Sequence, residues 1–212
     1  MCAEDKKEDE NYEVFGTLYE PDSLYNDTLQ KVLAGFLSGI NLHHGKLEQV
    51  KREDILTGSD VPSETLDQYF KNPDQIMSDI HQELAKIIAQ IECHMGRYKR
   101  DAVILFLLEN LRKQPLMLRI IIALDDRHFW ETHLRNILRY HTTNYWWEVE
   151  DEIWDELYKV FCFQFQLILE WWSAADFSED LLNDVFIRVK SWIIADSAYR
   201  SGLNFEWPPA DS

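Results

Sequence analysis

The side chains able to do chemistry in this chain are scattered rather than convergent. His43 stands beside His44, and Cys93 beside His94; residues adjacent in sequence do not face each other on a helix. His81 and Glu83 are two apart, a spacing that shares no helix face either. Asp125 and His128 have the i,i+3 spacing of the carboxylate–histidine unit of di-iron bundles. Such a centre needs a second unit and two further carboxylates. The sequence offers no second unit, so a surface or capping role is expected for the pair. No G-x-S-x-G, H-E-x-x-H or P-loop pattern occurs. The expectation is a chain with no catalytic residue, no metal ligand and no cofactor, and therefore not an enzyme. Cys2, Cys93 and Cys162 form no C-x-x-C pair. They are expected to be reduced, with Cys93 and Cys162 packed and Cys2 on a loose tail.

The elements that carry these residues are expected to be helices. Of 212 residues 46% are hydrophobic, enough for a sizeable core, and only 7 Gly and 6 Pro are present. That is too few for a sandwich or barrel, which needs a turn about every ten residues. No run of 18 apolar residues suggests a membrane span. Met1 to Glu10 is acidic and lacks the basic and apolar regions of a secretory signal, which points to the cytoplasm. The formal charge is −17. A field of that sign repels nucleic acid and anionic membrane unless the charge is unevenly spread. It is not spread in that way: residues 1–24 carry −6, residues 25–72 carry −2 and residues 73–212 carry −9, so no segment is basic.

Three segments follow. Residues 1–24 read as an acidic, disordered tail. Residues 25–72 hold three short helices: one with Leu29, Val32, Leu33, Phe36, Leu37 and Ile40 at helical spacing, one around Arg52 to Gly58, and one from Ser63 to Phe70. Asp60-Val61-Pro62 forms the turn between the last two, and Asn72-Pro73 ends the third. The size and punctuation match a helix-turn-helix unit. Residues 73–212 hold longer helices. Ile76, Ile80, Leu84, Ile87, Ile88 and Ile91 mark one that ends near Gly96. Val103 to Leu111 marks the next, Pro115 starts another, and Phe129 to Tyr140 is a single amphipathic stretch. Trp146 to Trp172 is apolar around most of its second half and must be covered on more than one side. Ser178 caps the last helix, with Glu179 and Asp180 in its first turn. Two adjacent apolar helices suggest a self-associating four-helix bundle, and the same pattern fits two helices buried within a monomer.

The stretch from Ile55 to Ile76 resembles the signature of the tetracycline-repressor (TetR) family of transcriptional regulators. The matching residues are Ile55, Val61, Thr65, Leu66, Tyr69 and Phe70, with Asp74, Gln75 and Ile76 opening the long helix. Trp171-Trp172, followed by a link and Ser178-Glu179-Asp180-Leu181-Leu182, is similar to the family's dimerisation pair. The likeness covers roughly residues 27–200. It implies an all-α fold with an N-terminal helix-turn-helix module and a larger helical domain for effector binding and dimerisation.

By that resemblance the DNA-contact residues would be Lys46, Lys51, Arg52, Ser63, Thr65, Gln68, Tyr69 and Lys71. An effector pocket would be walled by Phe106, Met117, Ile121, Phe129, Trp130, Trp146 and Trp147, and would suit a small apolar or cationic ligand. The dimer would form through Phe161, Phe165, Ile168, Trp172, Leu182, Val185, Phe186, Val189 and Trp192. Several positions depart from the family pattern. Asp67 stands in place of a phosphate-contacting tyrosine, Pro73 in place of a lysine, Asp60 in place of the turn glycine, and Glu64 in place of a small residue. All four weaken phosphate contact, which supplies much of the affinity for DNA. Two readings stand: a homodimeric, ligand-responsive regulator, a repressor, that binds double-stranded DNA; or a relative that has lost DNA binding and acts as an acidic protein-interaction or ligand-sequestering module.

Overall fold

A computed structural model describes residues 27–69, 72–97, 99–142 and 151–200, whose regular elements are all helices, with no strand among them. Three short helices come first: α1 (Asp27–Leu42), α2 (Arg52–Ser59) and α3 (Ser63–Tyr69). Val32, Leu33, Phe36 and Ile40 form the buried stripe of α1. Helix α2 crosses it closely because both helices are glycine-lined at the contact. A β-carbon on Gly35 would lie 2.3 Å from the Ile55 carbonyl oxygen, and one on Gly58 would lie 3.0 Å from the Gly35 α-carbon. Helix α2 stops at Asp60, whose backbone is left-handed (φ 53°, ψ 35°). That conformation is the usual exit from a helix and explains why glycine suits the position. Only Asp60, Val61 and Pro62 separate α2 from α3, and Val61 and Leu66 anchor the turn in the core.

Helix α4 (Pro73–His94) begins with Pro73 in its first turn and Asn72 as its cap, the Gln75 amide donating to the Asn72 side chain at 2.8 Å. Both devices meet the needs of a helix start, where amides lack partners. Its apolar face, Ile76 to Ile91, is buried as the spacing predicts. There follow α5 (Arg100–Leu111), α6 (Pro115–Ala123), α7 (Arg127–His133), α8 (Arg135–Thr142), α9 (Asp151–Ser173) and α10 (Leu182–Arg200). Helix α4 packs on α5 and α7, α9 on α6, α7 and α10, and α10 also on α5. The α1–α3 unit leans on this body through α1 and α6, where Gly45 (φ 78°) sits so near the Ala123 carbonyl that a β-carbon would be 2.7 Å from it.

Three sequence expectations change. The Phe129–Tyr140 stretch is two helices that meet at Leu134. At that junction the Tyr158 hydroxyl of α9 donates to the Trp130 and Glu131 carbonyls at 2.9 and 2.8 Å, and the Trp130 carbonyl also accepts the Leu134 amide at 2.9 Å. Cys93 is exposed rather than packed, on the outer side of α4 near its end. Cys162 is buried, and that burial pushes its thiol up to about 12. The α9–α10 corner is tighter than a simple break. Asp176 and Phe177 are both left-handed (φ 54° and 52°), uncommon for an aromatic. The Phe177 ring is buried edge-on to Trp172 at 5.5 Å, and Arg119 of α6 pairs with Asp176 at 2.6 Å. No helix among the described residues is long and apolar enough to cross a membrane.

Candidate functional site

Two surface features bring polar side chains together. The first is the outer edge of α2 and α3. Arg52, in the first turn of α2, reaches across the turn to α3. Its Nε and Nη2 donate to Asp67 Oδ1 at 3.0 and 2.7 Å, and Nη2 also donates to the Ser63 carbonyl at 3.2 Å and to Ser63 Oγ. The short link makes this reach possible, since it sets the start of α2 beside the first turns of α3. Asp60, Ser63, Glu64 and Asp67 are exposed along this edge, and Thr65 is half-buried. Lys46 and Lys51 are exposed and flank the turn Leu47–Gln49 that precedes α2. Behind them Asp54 accepts the Lys51 amide at 2.8 Å and His43 Nε2 at 2.9 Å. The amide bond first, and the histidine second, hold the Asp54 carboxyl below its ordinary range.

The second feature is an open groove of about 900 Å³ between the α1–α2 link, the first half of α4 and the start of α7. Asp126 caps α7, accepting the Phe129 amide at 3.2 Å, and its other oxygen accepts His81 Nε2 from α4 at 2.7 Å. The His81 bond lowers the Asp126 carboxyl most, and burial only partly opposes it. The His81 ring lies stacked on Phe129, centroids 5.1 Å apart. Ser78 lines the same groove, and the histidine–aspartate pair ties α4 to the start of α7. Glu48, Asp74, Asp125 and Glu131 also line the groove, against Arg127 as its one guanidinium. Arg127 is already engaged, paired with Asp125 at 2.7 and 2.8 Å and placed over the Phe163 ring at 4.5 Å. The groove is electrostatically suited to a cation. Among the described residues no group of three or more His, Cys, Asp or Glu could hold a metal ion.

No family model, curated protein or solved structure matches this chain. The placement of the expected residues therefore rests on geometry. Of the DNA-contact set, Arg52 donates to Ser63 as well as to Asp67, Thr65 sits beside Ser63 on α3, and Lys46 and Lys51 lie at the near end of α2. Lys71 lies outside the described residues, as do the side chains of Gln68 and Tyr69.

The expected pocket residues are part of the packed interior. Phe106, Met117, Ile121, Phe129 and Trp130 are all buried, and the Trp130 indole donates to Gln166 Oε1 of α9 at 2.6 Å. Trp146 and Trp147 lie outside the described residues. A concavity with room for a ligand lies elsewhere among the described residues, at the polar groove of His81 and Asp126. The expected dimer residues are likewise interior: Phe161, Phe165, Ile168, Trp172, Leu182, Val185 and Val189 are buried within one chain, and Phe186 and Trp192 pack partly buried against them. Among the described residues, the large apolar side chains left exposed on these helices are Val160, Leu167 and Trp171 of α9 and Ile187 of α10. The first three follow one helical stripe, and Arg188 of α10 covers the Trp171 ring at 4.5 Å.

Sequence reading missed the His81–Asp126 pair because its members are 45 residues apart. One local signal was available: an Asp three residues before Phe129, at the start of an apolar-periodic stretch, marks a cap. The capping role falls on Asp126, next to the Asp125 of the suspected carboxylate–histidine unit.

Proposed function

We propose that this chain is a cytoplasmic, ligand-responsive transcriptional regulator of TetR type, acting as a homodimeric repressor on double-stranded DNA. One observation carries the reading: two short helices joined by a three-residue turn with a left-handed first residue, the first of them packed closely against α1. This arrangement supports a helix-turn-helix reading, in which the second helix of the pair would enter the major groove. Thr65 and Gln68 of α3 would face base edges, while Lys46, Lys51, Arg52 and Lys71 would hold phosphates. Two subunits joined through α9 and α10 would set two such helices ~34 Å apart, one turn of duplex. The side chains available for that joining are Val160, Leu167, Trp171 and Ile187.

The effector in this reading is a small cation seated in the groove between the α1–α2 link, α4 and α7. Because α4 follows α3 directly, a ligand bridging α4 and α7 bears on the angle at which α4 carries the DNA-reading helices. Preference for one angle over another is how binding would shift the population of DNA-competent dimers.

A second reading is favoured by the exposed Asp60, Glu64 and Asp67, which make the outward edge of α2–α3 acidic. Such an edge repels phosphate and suits a basic protein partner. Fluorescence anisotropy separates the two. Purified protein is titrated onto random and upstream genomic duplexes from ~20 to ~200 mM salt, over which phosphate contacts weaken steeply. Salt-sensitive binding with one sequence preferred establishes the regulator. No binding at the lowest salt, together with capture of a basic regulator, establishes the acidic interaction module.

A further inference from the structure

The Arg52–Asp67 pair joins the two helices of the reading unit at the point where a phosphate would be met. Arginine is the best phosphate ligand a protein has, a planar fork that is always charged. Arg52 is the one arginine of the α1–α3 unit. Its fork is not free: Asp67 takes Nε and Nη2, and Ser63 takes Nη2 through its carbonyl and hydroxyl. Both partners of the ion pair are solvent-accessible, Arg52 at 37% and Asp67 at 59%. An accessible pair of this kind is weak and exchanges readily for a better anion.

We propose that Asp67 is a specificity-determining residue: it holds Arg52 in reserve, so that the guanidinium passes to a DNA phosphate only when base contacts by α3 add to the exchange. The proposal rests on the DNA-binding reading above. On arbitrary duplex, seating Arg52 on a phosphate means giving up Asp67 and bringing its carboxylate, with Glu64 beside it on α3, close to the backbone. Each of these lowers affinity without regard to sequence. At a cognate site the base-edge contacts offset that loss, and the same phosphate contact forms. Non-specific affinity is therefore suppressed more than specific affinity, and discrimination is the ratio of the two. Lys46 and Lys51 stand outside the lock and provide the sequence-independent approach. Asp67 touches no base in this scheme; it acts through Arg52.

A double-mutant cycle tests this. The intact chain, Asp67→Asn, Arg52→Gln and the double variant are titrated onto a random-sequence duplex from ~20 to ~200 mM salt. Asparagine keeps the shape of Asp67 and removes its charge, and thermal melts confirm that each variant is folded; Asp67→Ser is read the same way if Asp67→Asn is not. Asp67→Asn is expected to bind random duplex about tenfold more tightly, with a log–log salt slope steeper by about 0.9 per guanidinium recovered. The double variant is expected to match Arg52→Gln. A gain of equal size in the Arg52→Gln background overturns the lock, because Asp67 would then act by repulsion alone. Binding by the intact chain that Asp67→Asn leaves unchanged also overturns it, while leaving the DNA reading in place. Failure of all four proteins to bind any duplex at the lowest salt removes the DNA reading and the lock with it.

Discussion

His141 closes α8 against α5 and α10, 2% exposed, with neither ring nitrogen hydrogen-bonded. Asp101 Oδ1 is 3.7 Å from its Nε2, but Asp101 is paired with Lys190 of α10. Burial pushes the imidazole down to about 4; Asp101 opposes this, and Arg100 and Lys190 reinforce it. Above pH ~6.5 the ring is neutral folded or unfolded, and between ~6.5 and about 4 only the unfolded chain takes up the proton. Stability is therefore full above the unfolded value and is lost as pH falls through this window, by on the order of 3 kcal/mol. The lowered carboxyls of Asp126 and Asp54 act in a separate window, since what they contribute is lost below pH ~4. His141→Leu should flatten the stability curve between pH 6.5 and 4 in urea melts. At pH 7.5 it should be neutral or stabilising by about 1 kcal/mol, because a buried ring without partners is replaced by an apolar one. An unchanged acid limb would show that His141 is not the group that titrates there.

At the scale of elements, the crossing of α1 over α2 depends on the missing side chain at Gly35. The Ile55 carbonyl that a β-carbon would strike belongs to the α2 backbone and cannot rotate away. Gly35→Ala should gain helix propensity in α1 and still lose about 3 kcal/mol, because overpacking a close crossing outweighs a gain of about 1 kcal/mol. Chemical denaturation measures the net effect, and a stabilised variant would mean that the helices can part without cost. This crossing also marks what could be read from the sequence. Helix α4 was legible from end to end, since its isoleucine stripe, Pro73 and Asn72 are all local signals. The Asp60 turn was legible for the same reason. The split of α7 from α8 was not, because the hydroxyl that meets it comes from Tyr158 on α9. The candidate site divides likewise. Arg52, Ser63 and Thr65 could be named through the resemblance of the surrounding stretch to the TetR signature. The partnership of Arg52 with Asp67, and of His81 with Asp126, depends on how helices meet in space. Periodicity gives which face of a helix is apolar, but not how much of that face its own chain will cover.

The last point decides how two copies of the whole molecule would meet. Helices α9 and α10 are apolar enough for a bundle, yet α5, α6 and α7 already cover most of their apolar surface within one chain. The residues expected to bind a second copy are the ones so covered, and among the described residues the stripe Val160, Leu167 and Trp171, with Ile187, remains outside. Trp171 and Trp172 are neighbours in sequence with opposite surroundings: Trp171 is 41% exposed, whereas Trp172 is 0% exposed with its indole donating to the Ser178 carbonyl at 2.9 Å. Their substitutions should therefore separate association from folding. Trp171→Glu places a charge on the stripe, next to Arg188. It should convert a dimer to a monomer by light scattering while leaving the helical circular dichroism and the melting temperature nearly unchanged. Trp172→Glu buries an unpaired charge in the core and should cost the fold itself, more than about 4 kcal/mol. If the intact chain already has the mass of one copy, the stripe is not a self-association face, and neither the ~34 Å spacing nor binding to a palindrome can follow from it.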